Sequence, residues 1–166
     1  MAEAKTLFGK AAVLESLSEH PAVKAILAWK LEAMLDAKQD RGELTMTIAA
    51  DQIRAAAVIV QAAGYNFFED VTAVDWFPSA PRFQLSYHIV SHQYKERIRL
   101  RVLLDGDAPA VESITSVWPA ANFYEREVFD LFGIQFEGHP NLRRIMMPDD
   151  WQGYPLRKDY PVEGYR

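Results

Sequence analysis

The sequence predicts an α+β domain: a two-layer sandwich of a mixed, mostly antiparallel four-stranded sheet with helices on one face, plus an extended C-terminal arm. Three observations predict it. Phe83, Leu85, Tyr87 and Ile89 alternate with polar residues; after a short polar loop, Ile98, Leu100, Val102 and Leu104 alternate with Arg97, Arg99 and Arg101. Two such one-sided runs read as an antiparallel hairpin. Upstream, apolar residues at helical spacing flank a strand-like run, so the order is helix, strand, helix, then three strands. Finally, Gly138 to Pro161 is too rich in Pro and Gly for regular structure, yet too rich in Trp, Tyr, Leu, Ile and Met for a solvated tail. Residues 1–134 are read as the domain, with 1–29 a weakly determined helical segment, and 135–166 as the arm.

Each element has its own warrant. Thr6 to Leu17 reads as a short helix with Phe8, Ala11, Leu14 and Leu17 inward. Pro21 suits the first turn of a second helix, where its missing N–H costs nothing. Val23, Ile26, Leu27, Leu31, Met34 and Leu35 continue that helix at 3.6-residue spacing, with Lys30 as the one interruption and Gly42 as its close. Leu44, Met46 and Ile48 alternate with Thr45 and Thr47, a half-buried strand. Asp51 is placed to cap a helix running to about Ala63, with Ile53, Ala56, Ala57, Val60 and Ala63 inward and Gly64 at its end. Phe67 to Phe77 is a strand of ambiguous register, and Pro78-Ser-Ala-Pro81 a turn. Asp105 to Pro109 is a loop, and Val111 to Val117 adds a helical turn. Asn122 to Gly133 is a short helix, closed by glycine.

Composition bounds function. At 166 residues the chain is one domain with an arm, and its net charge of −5 argues against a general nucleic-acid binder. It has no cysteine, which excludes disulfides, thiol catalysis and any iron–sulfur cluster held by this chain's own thiolates. The most apolar run, Ala55 to Ala63, is about half the roughly 20 residues of a spanning helix, and the N-terminus lacks signal-peptide character. Any membrane contact is expected through a partner.

No phosphate loop, dinucleotide fingerprint or nucleophile elbow occurs. His88 and His92 have the spacing of a helical metal pair, but on a strand they stand about 13 Å apart. Arg97, Arg99 and Arg101 line one strand face without interleaved aromatics, so a nucleic-acid platform is disfavoured. Glu125, Glu127, Asp130 and His139 form the best enzyme-like cluster, either a carboxylate metal site or structural. Arg126, Glu127 and Asp130 share a polar helix face, with Arg126 and Asp130 at ion-pair spacing. Glu125 falls inside the apolar arc. It either completes a capping box with Asn122 or is buried against a charged partner. Without an accompanying nucleophile, structure or interface is the stronger reading. In the arm, Arg143-Arg144, Asp149-Asp150 and Arg157-Lys158-Asp159 alternate sign among Ile145, Met146, Met147, Trp151, Tyr154, Leu156 and Tyr160. Ordering such a segment is costly, and a partner surface that buries its aromatics and pairs its arginines would offset that cost.

Three runs carry a resemblance: S-V-W-P-x-A-N-F-Y-E-R-E-V-F-D-L-F-G-I from Ser116 to Ile134, F-E-G-H-P-N-L-R-R-I from Phe136 to Ile145, and M-P-D-D-W-x-G-Y-P-L-R-K-D-Y-P from Met147 to Pro161. With Asp70 to Trp76 and the Arg82–Leu104 hairpin, residues 30–166 resemble the 30-kilodalton subunit of respiratory complex I, the bacterial NADH-quinone oxidoreductase. The resemblance implies a peripheral subunit without redox centres, on the cytoplasmic side of the bacterial inner membrane. It implies contact with the 49-kilodalton, quinone-reacting subunit and with neighbouring iron–sulfur subunits. FMN, iron–sulfur clusters, NADH and quinone would belong to the complex, and nucleic acid and a small-molecule substrate of its own are not expected. Glu125, Arg126, Glu127, Asp130, His139, Arg143, Arg144, Asp150, Trp151, Pro155, Arg157, Lys158 and Asp159 are implied as structural and interface residues, with no catalytic, cofactor or metal residue. Similar subunits of membrane-bound hydrogenases and plastid-type dehydrogenases are the alternative.

Overall fold

The computed structural model describes residues 6–164. The N-terminal Met1 to Lys5 and the last two residues of the arm lie outside the described residues. The architecture is α+β, and the sheet is mostly antiparallel, with six strands rather than four. The strands are β1 (Leu7–Phe8), β2 (Met34–Asp40), β3 (Glu43–Ile48), β4 (Phe67–Asp75), β5 (Phe83–Ser91) and β6 (Glu96–Leu104). Their order is β1-β2-β3-β6-β5-β4, and only β3–β6 is parallel. Helices α1 (Lys10–Leu17), α2 (Pro21–Trp29) and α3 (Ile53–Ala62) precede the hairpin strands. Helix α4 (Ala121–Phe132) packs beside β4, at the sheet edge. It also connects β7 (Ala110–Glu112) to β8 (Gln135–Glu137), a small parallel pair that needs such a crossover.

The two additional strands come from the N-terminal third. The second helix stops at Trp29, because Lys30 turns extended, with φ −162° and ψ 103°. Met34 to Asp40 then pairs antiparallel with β3. Its apolar residues Met34, Leu35 and Ala37 fit a helix or a strand equally well, and pairing with a waiting sheet edge decides for the strand. Phe8, expected inward, is 70% exposed, because β1 pairs it with Lys38 on the outer face while Leu7 turns in. Val111 lies in β7 rather than a helical turn, paired with Phe136. Asp51 bonds the Gln52 side chain and does not cap α3.

The inner sheet face forms one core with the helices. Met46, Ile48, Leu85, Tyr87, Ile98 and Leu100 pack with Val23 and Ile26 of α2 and Ile53, Ala57 and Val60 of α3, all fully buried or nearly so. The outer face carries a cross-strand polar ladder. Arg99 Nε donates to His88 Nε2 at 2.8 Å, which makes Nδ1 the donor toward Asp70, at 2.6 Å. Arg99 also reaches Glu43 at 3.0 Å, and Arg101 donates to Thr47 at 2.9 Å. Arg97 reaches Glu43 at 3.3 Å, so all three arginines are engaged within the sheet.

Strand geometry assigns opposite fates to two adjacent residues that helical spacing places together. Met34→Ala, at a fully buried position, is expected to cost about 2–5 kcal/mol. Leu35→Ala, 59% exposed, should change stability by less than about 0.5 kcal/mol. Urea unfolding of both variants tests this, and comparable losses would contradict β2.

Candidate functional site

The charged residues of α4 and of the C-terminal segment meet. Helix α4 ends on Gly133, at φ 72°, in the left-handed conformation that glycine adopts without strain. Beyond β8, residues 138–164 turn back and run over α4 and the end of β4 as a strap. A Cβ on Gly133 would lie 2.4 Å from the Tyr154 ring, so glycine is required twice there, for its φ and for the close approach of the strap.

Asp130 is the centre. Its carboxylate is fully buried, and Oδ2 accepts the backbone N–H groups of Ile145, Met146 and Met147 at 2.9, 2.7 and 2.8 Å. Oδ1 takes Arg144 Nη1 at 2.6 Å. Burial pushes this carboxyl up, but the Met147 N–H, the Arg144 guanidinium and the Ile145 and Met146 N–H groups outweigh it, holding it below the ordinary carboxylate range. Each hydrogen bond to a charged group contributes about 1.5–3 kcal/mol. Arg144 also donates to the carbonyls of Trp151 and Gly153. Arg126 directs its donors to the carbonyls of Arg143 and Arg144, at 3.1 and 3.0 Å. The helical spacing predicts an Arg126–Asp130 pair; both residues instead hold the strap, because it brings backbone donors and acceptors that neither finds on its own helix.

A second anchor lies at the end of the sheet. Arg82 stands between two carboxylates, reaching Asp75 at 3.0 and 2.8 Å and Asp159 at 3.1 and 2.6 Å. Asp75 also accepts the Lys158 and Phe77 N–H groups. Burial acts against its charge, yet Arg82 and these N–H groups bring its pKa down to about 2. Arg157 donates to the Phe132 carbonyl at 2.6 Å and lies over the rings of Phe83 and Tyr154. The arm arginines expected to await a partner are therefore largely paired in cis. Asp75 and Arg82 were not among the candidate residues. The signal emerged only with the register of β4, in which Asp75 continues the buried phase of Val71 and Ala73, and an acid there needs a partner.

Glu125 follows neither expected route. No side chain caps α4, whose first turn follows Ala120, and the partners of Glu125 are uncharged. It is fully buried and accepts Ser113 Oγ at 2.6 Å and the Ile114 N–H at 2.8 Å. Burial raises its pKa to about 7, against the opposing effect of those two bonds. The buried Tyr87 hydroxyl is likewise pushed up, first by burial and then by Glu125. His139 lies apart. Its Nδ1 accepts the Asn141 N–H and its Nε2 faces the Asn122 carbonyl; burial and the Arg126 charge hold its pKa below the usual histidine value. Glu125, Glu127, Asp130 and His139 thus do not converge, and no three metal-ligating side chains gather among the described residues. Glu127, Arg143, Asp150, Trp151 and Lys158 are exposed, and Pro155 is half-buried.

Two substitutions probe this geometry. Asp130→Asn should cost about 3–5 kcal/mol, since it leaves Arg144 without its counter-charge in a closed site. Limited trypsinolysis should then cut sooner at Arg143, Arg144, Arg157 or Lys158; unchanged cleavage would refute the anchor. For Glu125, a folded-state pKa raised above the ordinary 4.5 gives a contribution fully present below about pH 4.5 and lost as pH rises through about 7. Glu125→Gln removes that titration, so its stability relative to the parent chain should rise by up to about 3 kcal/mol between pH 5 and 8. Urea unfolding across that range tests it, and a pH-independent difference would contradict a buried acid.

Known proteins are similar to this chain in sequence and in fold. Residues 46–166 match the family of the respiratory-chain NADH dehydrogenase 30 kDa subunit. The chain is 45% identical over 133 residues to the corresponding NADH-quinone oxidoreductase subunit of Citrifermentans bemidjiense, with 80% of this chain and 83% of that one covered. It is 42% identical over 134 residues to the same subunit of Geobacter sulfurreducens, with 80% and 83% covered. Among solved structures it is similar to the trypsin-resistant fragment of Nqo5, at 34% identity and a TM-score of 0.57 over 63% of this chain and 86% of that one. It is also similar to a chain of the membrane-bound sulfane sulfur reductase, an archaeal respiratory membrane complex, at 26% identity and a TM-score of 0.75 over 87% and 86%. Its long signature runs build the strap and the helix that anchors it, and the chain belongs to the 30 kDa subunit family of respiratory-chain NADH dehydrogenase, respiratory complex I.

Proposed function

We propose that this chain is a non-catalytic scaffold in the peripheral arm of a proton-translocating NADH:quinone oxidoreductase, where it braces the 49-kilodalton, quinone-reacting subunit and lies beside iron–sulfur subunits. The observation that carries this reading is the construction of the strap. Its polar backbone and most of its arginines are turned inward, while Ile145, Met146, Trp151 and Leu156 remain 39, 62, 37 and 49% exposed. An apolar ribbon held in place by its own domain is preorganised for docking, since its ordering entropy is met before a partner arrives.

In this reading FMN, iron–sulfur clusters, NADH and quinone are bound by other subunits, and this chain has no cysteine with which to hold a cluster. Glu125, Arg126, Asp130, Arg144, Arg157 and Asp159 shape the surface; Glu127, His139, Arg143, Asp150, Trp151, Pro155 and Lys158 belong to the docking face. No helix among the described residues is long and apolar enough to cross a membrane. The chain then meets the cytoplasmic side of the inner membrane through the complex. A second reading, the equivalent subunit of a different membrane-bound respiratory complex, draws on the likeness to the sulfane sulfur reductase chain. The higher identity to the NADH-quinone relatives, 42–45% against 26%, favours the first.

Affinity purification of the tagged chain from detergent-extracted membranes tests both. Co-elution of the 49-kilodalton subunit and NADH:quinone activity is expected. Co-elution with a complex that lacks NADH-oxidising subunits would select the second reading, and recovery of the chain alone would end both.

A further inference from the structure

Between the edge strand β4 and helix α4 lies a cleft of about 250 Å³. Asp70 and Thr72 of β4, Tyr124, Glu127 and Leu131 of α4, and Leu156 of the strap line it. The volume falls below the roughly 300–1,000 Å³ of small-molecule sites and suits a single inserted side chain. Its floor is apolar, and it carries two carboxylates but no lysine or arginine among the described lining residues.

Glu127 differs from its neighbours in the signature helix. Glu125, Arg126 and Asp130 are all buried and bonded within the chain. Glu127 is exposed, and its side chain makes no hydrogen bond or ion pair among the described residues. Asp70, across the cleft, engages His88 through Oδ1. The Tyr124 ring is held edge-on against Phe68, at 5.9 Å between centroids, and remains 37% exposed.

We infer that this cleft is the socket for one basic side chain, arginine in the first place, presented by a neighbouring polypeptide. An aliphatic stem covers Leu131 and Leu156, the guanidinium divides its donors between Glu127 and Asp70, and the Tyr124 ring adds a cation–π contact. An apolar side chain would strip water from two carboxylates and return nothing to them. A divalent cation would require more oxygen ligands than the cleft brings together. This inference rests on the assembly reading above.

Charge reversal in the assembled complex tests it. Glu127→Arg should leave the melting temperature of the isolated chain within about 1 °C, as expected for an exposed residue without partners. It should reduce recovery of the chain with its partner subunits about tenfold, and Glu127→Gln should reduce it by about threefold with weaker salt dependence. Glu15→Arg, exposed on α1, serves as the control and should assemble normally. A photo-crosslinking residue at Leu156 in the purified complex should label a partner peptide containing arginine or lysine. If the parent chain assembles and Glu127→Arg assembles equally well, or if the crosslinked segment is apolar, the socket is refuted while the assembly reading stands. If the parent chain itself recovers no partner, the assembly reading fails first, and the socket with it.

Discussion

One buried carboxylate sets the course of roughly the last sixth of the chain. Asp130 is closed off from water, and an ionised carboxylate in that position is tolerated only with its acceptor sites filled. Three consecutive backbone N–H groups and one guanidinium fill them. Consecutive amides can converge on one oxygen only if the backbone curls around it, so the requirement of a single side chain dictates the local path of residues 144–147. Arg126 completes the arrangement from the next helical turn by taking the carbonyls of Arg143 and Arg144. Segment and helix are thereby joined through main-chain groups that any sequence possesses, held by two side chains that few substitutions could replace.

The second anchor gives the strap its direction. Arg82 is flanked by Asp75 and Asp159, and it lies over the rings of Phe77 and Phe83. Asp75 ends the edge strand, so the strap is tied to the sheet as well as to α4. Tyr154 against Gly133 and Arg157 against the Phe132 carbonyl occupy the interval between the anchors. With Arg144, Arg157 and several backbone N–H and carbonyl groups turned inward, the strap leaves Ile145, Met146, Trp151 and Leu156 on the outside. This inverts the usual order of a folded segment, and it lets a run without helix or strand behave as a formed surface.

Much of the fold was legible. The Phe83–Leu104 hairpin, α3 with its alanine-lined inner face and α4 with its glycine stop all follow from periodicity and end signals, because a one-sided burial pattern repeats at the period of the element that makes it. Within the N-terminal third, β1 and β2 were not legible. Met34, Leu35 and Ala37 satisfy either period over so short a run, and β2 exists because β3 offers it an unpaired edge. Phe8 shows the same limit: its exposure follows from register against Lys38, a long-range pairing with no local trace.

At the candidate site the division is similar. The sequence by itself singled out α4 and the C-terminal segment, though not Asp75 and Arg82, because charged side chains interleaved with aromatics in a Pro- and Gly-rich run can be neither a solvated tail nor an ordinary core. It also placed Glu125 inside an apolar arc, the mark of an acid that must find partners, whereas the buried phase of Asp75 emerged only with the register of β4. Only the tertiary structure decided who those partners are. Arg126 and Asp130 sit one helical turn apart, yet each is satisfied by backbone 15 to 18 residues away. Glu125 takes a serine hydroxyl and an amide instead of a counter-charge. Hydrogen bonds are chosen by proximity after the chain has folded, and burial makes each choice exclusive; local spacing records only what a side chain can do, not what the fold brings to it.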